Sequence, residues 1–356
     1  MQINPFRAIR FNSDYWNLNS YSGTSKTNHD KIKQTQNTLM YLASQIANGS
    51  AKIDTVPGLY ILRTTSSQKQ FTSIIGEIDY NEKSVLFMNE GIHPQKLECY
   101  KSMFRKFKIQ TSPVLTFYKN NISIEAIVAE ILNTKPNITA NIDGILYELW
   151  HVHNVLEISR IKQALKPIDC LYIADGHHRF SLFTSLVSKI SARLIISVTD
   201  INSILLKSCH RVICGTISAN WYEKISNIGN IEKINSFNNI SGKVVFVFPN
   251  GETFATDFRG NCELTNIFDL VKKEIIEIGF GVREYDENVF PLPGNVSPKD
   301  ANKIFNLYKN AAVAIFLPSI NISDFLDFID NGHKLPATST WFEPKIVDGF
   351  IFRKFS

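Results

Sequence analysis

Residues 171–179 read Leu-Tyr-Ile-Ala-Asp-Gly-His-His-Arg, and the interpretation of the whole chain starts from this stretch. An apolar run leads into Asp175 and Gly176, and apolar residues then recur at helical spacing. The pattern predicts a buried strand over Cys170–Asp175, a tight turn at Gly176 and a helix over His178–Ile190. Asp175 would then lie at the carboxyl end of a strand, where α/β proteins collect ligands.

The residue types at this turn suit an anion. A glycine lets the backbone approach a ligand closely, and the free N–H groups of a first helical turn attract negative charge. His177 and His178 add donors, and Arg179 can hold phosphate with two bonds. We expect a phosphate group at Gly176–Arg179, with Asp175 binding Mg²⁺ or orienting a histidine. The alternative is a surface turn with incidental histidines.

The same stretch resembles the signature of the bacterial family called domain of unknown function 1015. Further stretches resemble elements of that family in the same order, so the resemblance spans nearly the whole chain: Pro5–Arg10, Phe71–Tyr80, Asn89–Pro94, Ser112–Val114, Cys209–Val212, Pro293–Asn295, Ser339–Lys345 and Gly349–Ile351. The sequence departs from the family pattern in residues 12–28, which lack an APPYDV-like segment. It also has Asn89, Asn295 and Thr338 where the family has His, Asp and Lys.

The resemblance implies an N-terminal part similar to the ParB/sulfiredoxin-like fold, in which a Gly-x-His-Arg turn grips phosphate. That fold also hosts free serine kinases, which phosphorylate L-serine with a nucleotide. The implied activity is a phosphotransferase acting on a small hydroxylated metabolite, with ATP or ADP as co-substrate and Mg²⁺ at Asp175. The alternative is a non-catalytic phosphate-binding, nucleotide-binding or DNA-associated regulatory module.

Several other residues receive roles from this resemblance. Glu90 would act as the base or help to hold Mg²⁺, although a solvated loop carboxylate is the alternative; His177 joins Glu90 and Asp175 as a catalytic candidate. Arg7, Arg211 and Lys345 would add positive charge around the anion. For Lys345 a surface salt bridge is an equal alternative.

Helical and strand periods alternate along the chain, which predicts an α/β or α+β fold. We expect an N-terminal part over residues 1–215 and a C-terminal part over residues 216–356. Asn250-Gly251 predicts a hairpin between Lys243–Pro249 and Glu252–Phe258. Further strands are predicted over Pro57–Thr65, Gln70–Tyr80, Pro113–Tyr118, Gly144–His153, Arg193–Val198, Ala311–Pro318 and Ile346–Phe352. Further helices are predicted over Asp30–Asn48, Pro94–Lys108, Ser123–Leu132, Glu157–Leu165, Asn266–Ile278, Pro298–Lys309 and Ser323–Asn331.

Composition excludes several classes of protein. The formal net charge of the 356 residues is +5, too small for a charge-driven nucleic-acid binder. Lys101, Arg105 and Lys108 share a helical face that would suit nucleic acid, but a solvated face is the favoured interpretation.

Apolar runs such as Ala311–Pro318 are far shorter than the roughly 20 residues that span a bilayer. We therefore expect no membrane contact, and the N-terminus has no apolar segment typical of a secretory signal.

The cysteines predict a reduced, cytoplasmic protein. Their five positions are scattered and form no C-x-x-C motif: Cys99, Cys170, Cys209, Cys214 and Cys262. His151 and His153 share one strand face and would need His177 and His178 to make a zinc site. No cysteine or carboxylate has ligand spacing beside them, so zinc is not expected.

Overall fold

The computed structural model describes residues 1–12, 28–66, 69–119, 124–186, 193–238, 240–258, 264–283 and 286–355. Its strands are β1 Ile9–Arg10, β2 Lys52–Ile53, β3 Leu59–Thr65, β4 Gln70–Asp79, β5 Leu86–Phe87, β6 Ile109–Gln110, β7 Val114–Tyr118, β8 Ile138–Ile142, β9 Ile145–Val152, β10 Leu171–Asp175, β11 Arg193–Asp200, β12 Leu205–Ser208, β13 His210–Cys214, β14 Gly229–Lys233, β15 Val244–Val247, β16 Thr253–Phe258, β17 Val289–Leu292, β18 Ala311–Phe316, β19 Thr340–Glu343 and β20 Arg353–Lys354. Its α-helices are α1 Asn28–Ala47, α2 Pro94–Phe107, α3 Glu125–Leu132, α4 Val155–Leu165, α5 His177–Leu186, α6 Trp221–Ser226, α7 Leu264–Leu270, α8 Ala301–Leu307 and α9 Ile322–Asp330.

These elements confirm the mixed α/β class and most of the predicted elements. The Asn-Gly hairpin forms between β15 and β16, with Gly251 at a φ of +84°. The helix predicted over Asn266–Ile278 is only partly α-helical, because α7 continues as a π-helix over Val271–Gly279. The loop predicted over residues 12–28 lies outside the described residues, except for its two ends.

The strand predicted over Ile346–Phe352 is wrong. Gly349 has a φ of +81°, and the Asp348 carboxylate accepts hydrogen bonds from the hydroxyls of Thr111 and Ser112. This turn interrupts the apolar run, whose residues 350–352 are fully buried without forming a strand. A buried apolar run therefore looks like a strand in sequence but is a packed turn here.

Within the described part of the chain, the strands of residues 59–175 other than β6 join β11 in one mixed eight-stranded sheet of order β5-β10-β7-β11-β4-β3-β9-β8, whereas β6 pairs with β20. One face packs against α3, α4 and α5 through residues such as Val128, Ile161 and Phe183. Part of the other face packs against α1 and the C-terminal residues 350–352. The rest of that face meets the second half of the chain, where Phe117 and Tyr172 join a core that includes Phe246.

The second half forms an antiparallel six-stranded sheet of order β14-β16-β15-β18-β13-β17. Its strands come from residues 210–316, whereas those of the larger sheet come from residues 59–200. The predicted division near residue 215 stays a prediction. A separate two-stranded ribbon pairs β12 with β19. Ahead of β19, Leu335 forms a β-bridge with Glu90, three residues after β5 of the larger sheet.

Candidate functional site

Helix α5 begins directly after β10, and Gly176 makes the turn between them. Gly176 has a φ of +98°, which side chains other than glycine rarely adopt, and a Cβ there would lie 3.1 Å from the guanidinium of Arg179. The backbone conformation therefore favours glycine, and a Cβ would in addition crowd the Arg179 guanidinium. The first N–H groups of α5 lack helical partners and carry partial positive charge.

The Asp175 carboxylate is held between two cations. Its Oδ2 accepts a hydrogen bond from Nη2 of Arg179 at 2.8 Å, and its Oδ1 accepts one from Nζ of Lys345 at 2.7 Å. Burial by itself raises the pKa of Asp175, but the charges of Lys345 and Arg179 outweigh it and hold the pKa below its ordinary value. Asp175 is therefore ionised at neutral pH, and 37% of its side chain remains exposed.

Arg179 is hydrogen bonded to the residues just before β7 as well as to Asp175. Its Nη1 donates to the carbonyl oxygens of Ser112 and Pro113, at 2.8 and 2.7 Å, and to the Ser112 hydroxyl. These residues are in reach because β10 and β7 are antiparallel, so that the end of β10 adjoins the start of β7. Arg179 thus joins α5 to β7, and its predicted contact with phosphate stays a prediction.

Lys345 reaches Asp175 from the far end of the chain. Its ammonium group also lies 4.7 Å from the centroid of the Trp341 ring, a cation–π contact. The ion pair expected as one alternative for Lys345 is present, and its partner is a site residue. An ammonium group has three donors, so two N–H groups remain for a ligand after the bond to Asp175.

His177 is the first residue of α5 and is buried. Its Nε2 is hydrogen bonded to Oδ1 of Asn89. Burial lowers the pKa of His177 to about 3, although the charge of Asp175 opposes this shift. The imidazole is therefore neutral at physiological pH, and Asn89 fixes its orientation. The bond also links the Gly176 turn to the residue before Glu90.

His178 supports the turn from the other side. Its Nε2 accepts a hydrogen bond from the backbone N–H of His93 at 3.0 Å, and its ring stacks on Tyr100 with centroids 6.0 Å apart. Burial lowers the pKa of His178 to about 4, and the charge of Lys96 adds to the effect. With Nε2 already accepting a bond from the protein, His178 joins the start of α2 to α5.

Glu90 is not the solvated loop carboxylate of the alternative interpretation, because only 6% of it is exposed. Its Oε2 accepts from the backbone N–H of Thr338 at 3.0 Å, and its Oε1 accepts from the N–H and the hydroxyl of Thr340. Burial raises the pKa of Glu90, while these bonds and the charge of Lys345 partly offset the shift. Glu90 follows β5 and therefore holds residues 338–348, called the β19 segment below, near the end of that strand.

The two remaining arginines do not make described contacts with Asp175. Arg7 is exposed and follows Phe6, which bridges to Gly58 just before β3, four strands away from β10 in the sheet order. Arg211 is buried on β13, where its Nη1 donates to the carbonyl oxygens of Cys209 and His210. Phosphate binding by either residue stays a prediction.

The sequence did not predict the polar residues that connect these groups. Ser112 links Arg179 to Asp348 through its hydroxyl, and Thr340 links Glu90 to the β12–β19 ribbon. Both threonine and serine lie in stretches that carry the family resemblance, but short hydroxyl side chains have no spacing signal of their own. Their roles follow from contacts between segments more than 60 residues apart.

The other histidines do not gather into a metal centre in the described part of the chain. His151 lies on β9 and His153 directly follows that strand, with their ring centroids 5.2 Å apart. No group of three or more His, Cys, Asp or Glu side chains that could hold a metal ion is found among the described residues.

Among the helices described, none is long and apolar enough to cross a membrane.

The comparison with protein families identifies the chain. The family model described as "Protein of unknown function (DUF1015)" matches residues 17–259, more than half of the sequence. The chain belongs to the DUF1015 family. The matched part contains the Gly176 turn and Glu90, whereas Lys345 and the β19 segment follow it. A search of curated proteins gives no match.

Two of the three single-residue departures from the DUF1015 pattern lie at the site. Asn89 is buried, and its Nδ2 finds no hydrogen-bond partner among the described residues. Thr338 has a φ of +64° and donates its N–H to Glu90. Asn295 is exposed beyond β17. The residues that replace an ionisable group at positions 89 and 338 therefore still contact catalytic candidates.

Solved structures similar to this DUF1015 chain have low sequence identity. C-terminally truncated SbnI from Staphylococcus aureus has 11% identity and a TM-score of 0.43, covering 77% of this chain and 85% of that one. A free serine kinase variant in complex with ADP has 10% identity and a TM-score of 0.46, covering 79% and 91%. A conserved hypothetical protein from Pyrococcus furiosus has 11% identity and a TM-score of 0.45, covering 77% and 93%.

Proposed function

We propose that this DUF1015 chain is a phosphotransferase that acts on a small hydroxylated metabolite, such as free serine, with ATP or ADP as its nucleotide. The observation that carries the proposal is an ionised Asp175 held between Lys345 and Arg179 beside the positive end of α5. Phosphoryl transfer depends mainly on positioning and on compensation of phosphate charge, and this turn would supply both. The ParB/sulfiredoxin-like character of the N-terminal part belongs to the same proposal.

The phosphate would bind at the turn of Gly176, which carries no side chain of its own and lies beside the Arg179 guanidinium. The N–H groups at the start of α5 and the two remaining donors of Lys345 would hold its oxygens. Asp175 keeps the Lys345 ammonium group at this position through the 2.7 Å bond. Arg179 would contribute its charge while it keeps the Ser112 loop in place.

Glu90 is the proposed proton acceptor for the substrate hydroxyl. Burial raises the pKa of Glu90, which makes it a stronger base than Asp175, whose pKa is lowered by Lys345 and Arg179 against the effect of burial. Among the described residues its Oε2 accepts the bond from Thr338 alone, which leaves one lone pair on that oxygen for the substrate proton. The neutral His177 would orient the substrate through its second ring nitrogen.

Mg²⁺ fits the proposal at Asp175. Each carboxylate oxygen of Asp175 accepts one protein bond and keeps a lone pair, and the side chain is partly exposed. Mg²⁺ is commonly held by one or two carboxylates together with substrate phosphates, so a single protein carboxylate is enough. When bound, it would neutralise phosphate charge.

A non-catalytic nucleotide-binding module is the second candidate. The observation in its favour is that both Glu90 oxygens accept bonds from the β19 segment, as a purely structural carboxylate would. In that case the turn binds a nucleotide and no group moves a proton.

The experiment that separates the two candidates is a turnover assay with the full chain. The chain is incubated with Mg²⁺, ATP or ADP, and a panel of hydroxylated metabolites that includes L-serine, and new phosphomonoesters are detected by ³¹P NMR. Asp175→Asn, assayed at the same low Mg²⁺ concentration, serves as the impaired comparison. Phosphorylation by the wild type that falls in Asp175→Asn supports the phosphotransferase. Nucleotide binding without any phosphorylated product supports the binding module and refutes the enzyme.

A further inference from the structure

Strand β19 presents its residues alternately to the core and to the surface. Thr340 and Phe342 are buried, whereas Trp341 and Glu343 are partly exposed. Successive side chains of a strand point to opposite faces, so Trp341 and Glu343 share the outer face of the β12–β19 ribbon. Lys345 follows two residues later, and its ammonium group lies 4.7 Å from the centroid of the Trp341 ring. A large aromatic ring is therefore kept at the surface beside a charged group of the candidate site.

Three residues other than Lys345 contact Trp341 and hold its side chain in place. The Nε1–H of Trp341 donates to Oε1 of Glu343 at 3.1 Å, and Glu343 accepts from Nζ of Lys207 at 3.0 Å through its other oxygen. Lys207 lies directly opposite Trp341 in the ribbon. Gly294 is close to both, because a Cβ there would lie 2.9 Å from Cβ of Trp341 and 2.7 Å from Cβ of Lys207. The ring is thus fixed by contacts in which Lys345 takes no part.

The ammonium group of Lys345 meets the Trp341 ring and the Asp175 carboxylate. Its Nζ donates to Oδ1 of Asp175 at 2.7 Å, and 32% of the Lys345 side chain is exposed. A lysine side chain has many rotamers, and a ligand that had to fix one of them would bind more weakly for that reason. A second carboxylate could also hold the ammonium group, but it would cancel the charge that attracts an anion. A neutral aromatic ring holds the cation and leaves its charge in place.

We propose that Trp341 is a positioning residue, which holds the Lys345 ammonium group beside the Gly176 turn before a phosphate binds there. The inference rests on the proposed function for the nature of the ligand, and it adds the residue that prepares the cation. Trp offers the best face for a cation among the aromatic side chains, and Phe offers a weaker one. Anion affinity should therefore follow the aromatic face present at position 341.

The first test is titration calorimetry of the full chain with pyrophosphate and with ADP. Trp341→Phe keeps an aromatic face and loses the N–H bond to Glu343, whereas Trp341→Leu loses both. Trp341→Leu should weaken binding by about 2- to 30-fold, the range for one cation–π contact, and Trp341→Phe should bind more tightly than Trp341→Leu. Tyr222→Leu, at an aromatic residue that is 45% exposed on α6, is the matched control and should leave both affinities unchanged. Equal affinities of the Phe and Leu variants would overturn the inference.

A double-mutant cycle with Lys345→Met separates positioning from direct contact with the ligand. Lys345→Met removes the charge and keeps a long side chain, so it should itself weaken pyrophosphate binding. If Trp341 acts through Lys345, Trp341→Leu should cause no further loss when Lys345 is already Met. A loss of the same size with and without Lys345 would mean that the ring contacts the ligand itself, and the positioning role would be wrong.

A measurement on the wild type covers the case in which Trp341→Leu does not fold. The ring current of Trp341 should move the ε-methylene signal of Lys345 upfield in the ¹H–¹³C spectrum, and Lys345→Met identifies that signal by its loss. The upfield shift should persist when pyrophosphate binds, since the ammonium group stays on the ring. A signal that has the position typical of an exposed lysine, before or after pyrophosphate is added, contradicts the inference.

The outcomes for this inference and for the proposed function can be told apart. Pyrophosphate binding that no change at Trp341 affects overturns the inference and leaves the phosphate site standing. Binding that depends on the ring, without any turnover, supports the positioning role and refutes the phosphotransferase. If the wild type binds neither pyrophosphate nor ADP, both are overturned.

Discussion

Replacing Glu90 with Gln tests whether this buried carboxylate holds the β19 segment. In the structure three donors converge on Glu90: the N–H groups of Thr338 and Thr340 and the Thr340 hydroxyl. A Gln side chain has the same length but only one acceptor oxygen. Its NH₂ group would have to face one of the two backbone N–H groups.

The cost follows from those contacts. The Gln oxygen is best placed at the Oε1 position, where it keeps both bonds from Thr340, so the bond from Thr338 is lost. One charge-assisted bond lost in a buried place costs about 1.5–3 kcal/mol, and the unpaired N–H of Thr338 adds to this. Relief of the burial of a charge offsets part of the loss. We expect Glu90→Gln to lower the free energy of unfolding by about 2 kcal/mol.

The assay is urea unfolding of the full chain together with nucleotide titration. Glu98→Gln is the matched control, because Glu98 is 67% exposed and pairs only with Lys101 on the surface of α2. Glu90→Gln should also weaken phosphate binding, since a loosened β19 segment no longer positions Lys345. Equal stability of Glu90→Gln and Glu98→Gln would refute the claim that Glu90 holds the β19 segment in place. If Glu90→Gln instead lowers kcat by about 10²–10⁴ and leaves stability unchanged, Glu90 acts as a base and does not stabilise the fold.

Three further predictions concern the turn itself. Arg179→Ala should weaken phosphate binding by about 10- to 100-fold and also lower stability by about 2 kcal/mol, and Arg179→Lys should rescue neither in titration and unfolding experiments. Burial lowers the pKa of His177 to about 3 and of His178 to about 4, so the unfolded chain takes up protons below pH 6.5 that the folded chain does not. Stability should be full above pH 6.5 and fall below it by up to about 1.4 kcal/mol per pH unit for each histidine; His178→Phe should flatten the slope in urea unfolding at pH 7.5 and 5.5. Asp175→Asn should reduce turnover in a way that higher Mg²⁺ relieves, and a defect independent of Mg²⁺ would contradict metal binding at this carboxylate.

The Gly176 turn was predictable because its elements are local. A buried strand, a glycine with positive φ and a helical start are encoded within nine residues, and each contributes a signal that sequence alone carries. The structure forms this turn as predicted, with β10 ending at Asp175 and α5 beginning at His177. The charge state of Asp175 was not predictable in the same way, because it depends on Lys345, which is 170 residues away.

The elements that sequence did not predict share a physical cause. Strands β12, β13 and β14 are four or five residues long and carry polar or charged residues in their interior or at their ends, and β17 is four residues long with a proline inside it. Such short segments become strands through pairing with a distant partner, as β12 does with β19, and not through their own periodicity. The strand predicted over residues 346–352 fails for the opposite reason. Its apolar residues suggest a strand, but the turn at Gly349 interrupts them, and the apolar pattern does not encode that turn.

The site depends on two segments that the sequence separates widely. The turn at Gly176 is the proposed place for an anion. Lys345 balances the charge of Asp175 at this turn, and Lys345 follows a segment that Glu90 holds through Thr338 and Thr340. Ser112 and Asp348 connect the same segment to Arg179. We therefore expect ligand affinity and the packing of residues 338–348 to be coupled: a change that loosens this segment should remove a cation from Asp175, and a phosphate bound at the turn should stabilise the segment in return. Such coupling would place the control of the site in the C-terminal segment, beyond the part of the chain in which its signature motif lies.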